Sequence, residues 1–209
     1  MRLIARFAGA FLRLLYSRLA FVYDWVAWLV SAGHWVEWAG TGLNALPAGT
    51  CLELGHGPGH LLVRHRVGRT LVGVDLSPQM TKLAAQRQLS SHSPIRCIRA
   101  RAQALPFAAE AFRGILASFP SEYIFDPQTV AEAFRVLHSG GTWVIVPQVR
   151  VTGRHPYEKF LAWLYRITGE TGNLPGLWLE ILHRQGFDLQ EAEVVLPGAS
   201  VQHILARKP

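Results

Sequence analysis

Four residues near position 55 have types and a spacing that suit the binding of a small organic ligand. The stretch reads Glu53-Leu-Gly55-His-Gly57-Pro-Gly59 and follows directly on a short apolar run. Glycines at such a point let backbone N–H groups and a helix N-terminus come close to a ligand. The acidic Glu53 indicates a ligand that carries a cationic or amine group rather than two phosphates.

The glycine spacing excludes the dinucleotide-binding fingerprint G-x-G-x-x-G. The register that begins at Gly55 places His60 at the third glycine, and the register that begins at Gly57 places Leu62 there. Asp75 ends the next apolar run, where a carboxylate can accept hydrogen bonds from two ribose hydroxyls. The two features together indicate a nucleoside ligand other than NAD.

Short apolar runs alternate with helical patterns from Pro47 onward. Ser77-Pro78 opens a helix with a capping side chain and a proline in its first turn, and further helices are predicted at 127–137, 156–167 and 175–185. The predicted strands lie at 50–54, 70–75, 95–101, 112–118, 142–147, 187–196 and 200–207. Repeated βαβ units that end in a hairpin predict an α/β fold, a Rossmann-like, doubly wound, seven-stranded sheet that is parallel except for one strand.

Composition and charge exclude some classes of protein and favour one kind of partner. The chain has 209 residues, 50% of them hydrophobic and 17% charged, which excludes a disordered protein, and two cysteines cannot form a disulfide framework. The formal net charge is +7, with +8 on residues 1–101 and −1 on residues 102–209. This excess favours an anionic partner. Because no nucleic-acid module is recognisable, we expect a membrane surface rather than nucleic acid.

The first forty residues combine apolar and basic side chains. Arg2, Arg6 and Arg13 fall on one side of a helical wheel, with most apolar residues elsewhere. Arg13, Arg18 and Asp24 interrupt the apolar run, so it is too short to span a bilayer, and a signal peptide fits poorly. Two interpretations remain open, a helix that lies in a membrane interface and a helix that covers the rest of the domain.

Four motifs, in order, resemble those of the class I S-adenosylmethionine-dependent methyltransferases, and particularly the small-molecule branch that includes the ubiquinone and menaquinone biosynthesis enzymes. The resemblance covers residues 47–147 and implies a methyltransferase domain at 47–209. It leaves 1–46 as an N-terminal helical extension, either an acceptor lid or a membrane-surface helix. The motifs are the glycine-rich turn, Gly73-Val-Asp75-Leu-Ser-Pro-Gln-Met80, Leu105-Pro106-Phe107, and Phe112.

The resemblance implies S-adenosyl-L-methionine as the cofactor and assigns part of it to each motif. The glycine-rich turn passes under the methionine and ribose, with its glutamate near the amine, and the aspartate binds the ribose hydroxyls. Leu76 and Met80, which follow this aspartate, pack beside the adenine. Ala102 and Gln103, which precede Leu105-Pro106-Phe107, edge the adenine through a backbone N–H. The end of the fourth strand lies below the reactive methyl. The cofactor-binding residues so implied are Glu53, Gly55, Gly57, Gly59, Asp75, Leu76, Met80, Ala102, Gln103, Ser118 and Phe119.

The chain departs from the family at Arg101. An aspartate usually stands there and accepts a hydrogen bond from the adenine amino group, whereas arginine can only donate. Tyr123 could contact the methyl acceptor, act as a base or form an aromatic wall, and Tyr23 and His155 are further candidate substrate contacts. The histidines show no metal-ligand spacing, so no metal is expected.

These observations predict S-adenosylmethionine-dependent methyl transfer to a small, apolar acceptor such as a quinone precursor or a lipid. We expect a cytoplasmic enzyme that contacts the inner face of the membrane peripherally. An alternative, which Arg101 favours, is a degenerate methyltransferase-fold protein that acts as a membrane-associated binding or scaffold protein. A third interpretation is an enzyme without membrane contact, whose N-terminal helices close over the acceptor.

Overall fold

The short apolar runs of the sequence form the strands of one sheet. The computed structural model describes residue 31 and residues 33–64, 68–91, 96–152 and 176–209. The helices are α1 (Trp35–Ala45), α2 (Pro78–Ser91), α3 (Pro127–Val136) and α4 (Gly176–Gln185), with a 3-10 turn at Glu122–Phe125. The strands are β1 (Gly49–Leu54), β2 (Arg69–Asp75), β3 (Arg96–Arg99), β4 (Phe112–Ser118), β5 (Leu137–Val146), β6 (Val149–Val151), β7 (Asp188–Leu196) and β8 (Ala199–Arg207).

The sheet has the predicted doubly wound order. Strands β3, β2, β1, β4 and β5 lie side by side and run parallel. Strand β8 runs antiparallel to β5, β6 and β7, so the prediction of a sheet parallel except for one strand is confirmed. The chain direction across the sheet reverses between β1 and β4. The carboxyl ends of strands at such a reversal form a crevice in which α/β proteins bind ligands.

The described residues contain eight strands rather than seven, because the fifth strand is interrupted. Strand β5 ends at Val146 and the three-residue β6 follows after Pro147 and Gln148. Both pieces pair with the same strand, β8, in the same direction. Proline has no N–H to donate to a strand ladder. The Gln148 side chain bridges the gap by donating to Gln202 Oε1 at 2.6 Å.

Local signals set where the helices begin. Asp126 caps α3, since its carboxylate accepts a hydrogen bond from the Gln128 backbone N–H at 2.9 Å, and Pro127 stands at the first helical position. The Met80 N–H donates to Ser77 Oγ at 3.4 Å at the start of α2. Both helix starts therefore agree with the sequence-based expectation.

Helix α1 packs into the core of the sheet. Trp38, Ala39 and Leu43 of α1 are buried in a hydrophobic cluster that includes residues of β1, β4, β5 and β8. At Gly42 a Cβ atom would lie 2.6 Å from Val146 and 2.7 Å from Leu116, so this glycine permits the close approach of helix and sheet. The opposite face is covered by α3 and α4, with Trp178 of α4 only 1% exposed.

The predicted division at residue 46 stays a prediction, as do all features placed on the first thirty residues. Tyr23, His155, the amphipathic N-terminal helix and the predicted helix at 156–167 lie outside the described residues. Within the described stretches, no helix is both long and apolar enough to cross a bilayer.

One arginine closes the carboxyl end of α1. Arg69, at the start of β2, donates to the carbonyl oxygens of Leu43 at 2.8 Å and Pro47 at 3.0 Å, and also to that of Leu46. The last carbonyl groups of a helix have no partner within the helix and carry a partial negative charge. The guanidinium donates to three carbonyl groups at once and links the end of α1 to the start of β2.

We expect Arg69→Met to lower the free energy of unfolding by about 2–3 kcal/mol, because it removes three hydrogen bonds from a charged donor to backbone carbonyl groups. Urea unfolding measures the change. Arg150→Met is the matched control, because Arg150 is 75% exposed and its ion pair with Glu193 spans 3.7 Å. The control should change the free energy of unfolding by less than about 0.5 kcal/mol. Equal losses in the two variants would contradict the capping role.

A buried histidine links α1 to β8. Thr41 Oγ1 donates to the Trp38 carbonyl at 2.6 Å, and its only proton is thereby used. His203 Nε2 lies 2.8 Å from the same oxygen and must therefore donate to it. Burial lowers the pKa of the His203 imidazole. The neutral Nε2–H form is thus the one that the fold stabilises.

This arrangement predicts how stability depends on pH. Because the pKa of His203 is lower in the folded chain, the unfolded chain binds a proton more readily, so the free energy of unfolding falls as the pH drops below about 6.5. His203→Gln keeps an N–H donor for Thr41 but cannot titrate. Chemical unfolding between about pH 7.5 and about pH 5 should give a shallower pH dependence for this variant than for the unaltered chain. Parallel curves would show that His203 does not contribute.

Candidate functional site

The glycine-rich turn leaves open space at Gly57 and packs tightly at Gly59. Gly57 has a φ of +53°, and a Cβ atom built there would meet no atom within 4 Å. At Gly59 a Cβ would lie 2.7 Å from the Ala84 Cβ and 3.1 Å from its Cα, so this glycine lets α2 pack against the turn. Gly57 therefore faces space that a ligand can occupy, whereas Gly59 allows close packing of α2.

Asp75 joins the turn after β1 to the turn after β2. Its Oδ2 accepts a hydrogen bond from the Gly57 N–H at 2.9 Å, and its Oδ1 accepts one from the Ser77 N–H at 2.8 Å. Hydrogen bonds to a carboxylate are stronger than those between neutral groups. Each carboxylate oxygen has a further lone pair, so Asp75 can accept hydrogen bonds from a ligand while it holds both turns.

A cavity of about 620 Å³ opens where β1, β2 and β4 end. It lies at the reversal of strand order that the fold predicts as a ligand crevice. Its volume falls within the range of roughly 300–1,000 Å³ that is usual for small-molecule sites. Ten of the residues predicted from the sequence line it, and they are Gly55, Gly57, Asp75, Leu76, Met80, Ala102, Gln103, Ser118, Phe119 and Tyr123.

Two predicted cofactor contacts, Glu53 and Gly59, do not line this cavity. Glu53 is 3% exposed, and its Oε2 has no hydrogen-bond partner among the described residues. Burial, and secondarily the negative charge of Asp75, raise the pKa of the Glu53 carboxyl well above its usual range. A cationic group close to Glu53 would favour the ionised carboxylate and satisfy the unpartnered oxygen.

His56 stabilises the turn itself. Its Nδ1 donates to the Gly57 carbonyl at 2.7 Å, and the ring lies beside Gly73 of β2. Burial lowers the pKa of His56, although the negative charge of Asp75 acts in the opposite direction. His56 is only 4% exposed and is absent from the cavity lining. Its observed contacts are therefore those of a structural residue.

The end of β4 forms an aromatic wall of the cavity. Phe119 has a φ of +45°, which is unusual for a residue with a side chain, and its N–H donates to the Val146 carbonyl at 2.8 Å. Its ring lies 4.2 Å from that of Trp35 in α1, measured between centroids. Such strain at the end of a strand is commonly found at functional sites.

Tyr123 spans the cavity from the 3-10 turn to the end of β1. Its hydroxyl donates to the Leu54 carbonyl at 2.9 Å. A Cβ at Gly55 would lie 2.5 Å from this hydroxyl oxygen, so the phenol rests directly against the glycine-rich turn. The hydroxyl proton is already donated to a backbone carbonyl. This geometry therefore favours a tyrosine that contacts the acceptor over one that acts as a base.

Sequence reasoning missed several residues of the cavity lining. Some could have been found by continuity, since they lie between residues that were identified. Pro120 and Ser121 belong to the segment that connects Phe119 to Tyr123. Arg101 was recognised as a departure from the family pattern, not as a binding residue. The additional lining residues are Val74, Ser77, Pro78, Gln79, Ala100, Arg101, Pro120 and Ser121.

The lining residues fit the S-adenosylmethionine that the motifs imply. Gly57 leaves open space beside the backbone, and Asp75 offers acceptor lone pairs to a ribose. Leu76 and Met80 supply apolar surface for a flat base. The described residues include no group of three or more histidine, cysteine or acidic side chains that could hold a metal ion.

Comparison with known proteins agrees with this geometry. Residues 51–141 match the family described as a methyltransferase domain. The 2-phytyl-1,4-naphtoquinone methyltransferase of Thermosynechococcus vestitus is 36% identical over 141 residues, which cover 63% of this chain and 62% of that protein. The ubiquinone/menaquinone biosynthesis C-methyltransferase of Syntrophotalea carbinolica is 29% identical over 161 residues, or 74% of this chain and 66% of that protein.

The matched region spans about six tenths of the length of the first of these relatives. Among solved structures, a putative S-adenosyl-L-methionine-dependent methyltransferase from Methanococcus maripaludis superposes with a TM-score of 0.67. It is 17% identical and the match covers 93% of this chain and 94% of that one. This likeness confirms the predicted fold.

Proposed function

We propose that this chain is a class I S-adenosylmethionine-dependent methyltransferase, and that it transfers a methyl group from S-adenosylmethionine to a small, apolar, quinone-like acceptor. The observation that carries the proposal is the cavity at the ends of β1, β2 and β4, in which Asp75 and Gly57 face a common space. The acceptor class is supported by the relatives named for quinone methylation.

The reaction requires positioning more than chemical assistance. S-adenosylmethionine supplies a methyl group already activated on a sulfonium, so the chain can lower the barrier mainly by holding the acceptor in line with it. Phe119 and Tyr123 supply aromatic surface at the end of the cavity where the acceptor would lie. Their placement suits a flat ring that stacks against one face of the site.

A base is required in addition if the acceptor is a hydroxyl or a carbon acid. Tyr123 is a titratable lining residue in the segment that follows β4, and its hydroxyl donates to Leu54 O. We propose that it positions the acceptor and that acceptor ionisation precedes binding or uses solvent. The degenerate scaffold alternative is not favoured, because the named relatives are methyltransferases.

Calorimetry with S-adenosylmethionine, followed by transfer of labelled methyl, tests the proposal. The acceptors to compare are 2-phytyl-1,4-naphthoquinone reduced beforehand to its quinol, which supplies the nucleophilic ring carbon, a reduced demethylated ubiquinone precursor, and phosphatidylethanolamine. We expect cofactor binding in the micromolar range, about −8 kcal/mol, and label in the naphthoquinone. Absence of binding at millimolar cofactor would refute the proposed methyltransferase activity. Cofactor binding with label only in the phospholipid would refute the proposal of a quinone-like acceptor.

We also propose that the N-terminal segment contacts an anionic membrane surface. The support is the sequence arrangement of Arg2, Arg6 and Arg13 on one side of an apolar helical pattern. Each arginine close to an anionic surface contributes up to about 1 kcal/mol to the free energy of membrane binding. Flotation with anionic and neutral vesicles tests it, comparing the unaltered chain with the triple glutamine variant of these positions. Equal flotation of both proteins would exclude this role.

A further inference from the structure

Arg101 is the one lysine or arginine in the described lining of the cofactor cavity. It follows β3 at the start of a tight turn, which is closed by the Ala104 N–H donating to the Arg101 carbonyl at 3.1 Å. This turn holds the backbone of residue 101 at the cavity rim. Arg101 is exposed, and its guanidinium makes no hydrogen bond or ion pair among the described residues, so its donors remain available to a ligand.

The other polar side chains at this end of the cavity already have partners. Asp75 accepts from two backbone N–H groups, and Gln79 Oε1 accepts from Ser77 Oγ at 3.1 Å. Gln103 Nε2 donates to Asp126 Oδ2 at 3.1 Å, which links the residue to the N-terminus of α3. Arg101 is therefore the lining side chain with the largest unused hydrogen-bonding capacity, and all of that capacity is donor capacity.

The chemistry of purine edges makes this capacity selective. An arginine pairs in bidentate fashion with a base edge that presents two acceptors, O6 and N7, as guanine does. Hypoxanthine presents the same two acceptors. Adenine presents N7 as an acceptor but an amino group in place of O6, so one of the two guanidinium donors would face another donor.

We infer that Arg101 sets the base specificity of the cofactor site. Its guanidinium donates hydrogen bonds to acceptor atoms of the purine, so the site does not select adenine over hypoxanthine. This inference rests on the proposed function, since it takes the cavity as the S-adenosylmethionine site. The ligand class is then an S-nucleosyl amino acid in which the purine substituent at position 6 is an amino group or a carbonyl.

Calorimetry with S-adenosylhomocysteine and S-inosylhomocysteine tests the inference without any methyl acceptor. For the unaltered chain we expect the two dissociation constants to agree within about threefold, or to favour the inosine compound. Arg101→Asp supplies acceptors in place of donors, so it should favour the adenosine compound by about tenfold or more. Arg101→Met removes the donors alone and should weaken the inosine compound more than the adenosine compound.

Arg96→Met is the matched control, because Arg96 is exposed on β3, is absent from the cavity lining and carries the same charge. It should leave both dissociation constants unchanged, and thermal unfolding verifies that each variant is folded. A clear preference of the unaltered chain for the adenosine compound would overturn the inference alone, and so would a ratio of the two dissociation constants that neither Arg101 variant changes. Failure of the unaltered chain to bind either compound would overturn the proposed function and the inference together.

Discussion

Gly57→Val is expected to reduce the affinity for S-adenosylmethionine at least about a hundredfold, which corresponds to about 2.7 kcal/mol. Gly57 lines the cavity with a φ of +53°, and the space around its missing Cβ is empty. A valine there would direct two methyl groups into the volume that the ligand needs. It would also strain the backbone, since residues with a side chain rarely adopt this conformation.

Gly140→Val separates these two effects. Gly140 has a φ of +76° and likewise open space around its missing Cβ, but it lies in β5 and is absent from the cavity lining. Both variants should lose about 1–2 kcal/mol of stability from the backbone strain. Calorimetry should detect a loss of cofactor affinity only at Gly57. A Gly57 variant that binds as tightly as the Gly140 variant would show that the turn does not face the ligand.

Asp75→Ala is the second variant with a large expected effect. It removes the acceptor of two backbone N–H groups, at 2.9 Å and 2.8 Å, together with the group proposed to bind the ribose hydroxyls. We expect cofactor affinity to fall more than about a hundredfold, and the free energy of unfolding to fall by about 2 kcal/mol. The two losses have separate causes, because only the second is present in the ligand-free chain.

Calorimetry and urea unfolding measure the two losses, and two further variants assign them. Asp75→Asn keeps the shape and one acceptor oxygen, so it should lie between the unaltered chain and the alanine variant in both measurements. Asp188→Ala removes an exposed carboxylate at the start of β7, far along the sheet from β2, and should alter neither quantity by more than about 0.5 kcal/mol. Retained affinity in Asp75→Ala would contradict the ribose role.

Features that depend on neighbouring residues could be predicted from the sequence. Strand β4 was predicted with its observed bounds, Phe112–Ser118. The starts of α2 and α3 were also predicted, since a serine or aspartate followed by proline satisfies the first N–H groups of a helix locally. The fifth strand was predicted at 142–147, whereas β5 begins at Leu137, because its first residues gain their partners from the sheet rather than from a local pattern.

Pairings between distant residues were decided by the tertiary structure alone. The Tyr123 hydroxyl donates to Leu54 across 69 positions, and His203 donates to Thr41 across 162 positions. The burial of Glu53, whose Oε2 has no hydrogen-bond partner among the described residues, and the place of Arg101 in the cavity lining likewise depend on the assembled fold.

The sequence by itself determined the sheet and the glycine-rich turn, and indicated the resemblance to methyltransferases, because these follow from short-range sterics, capping and spacing. It could not determine which side chains of that turn face a ligand and which face the core. That choice depends on how α1, α2 and the 3-10 turn dock against the sheet, and docking is set by the shapes of surfaces that are far apart along the chain.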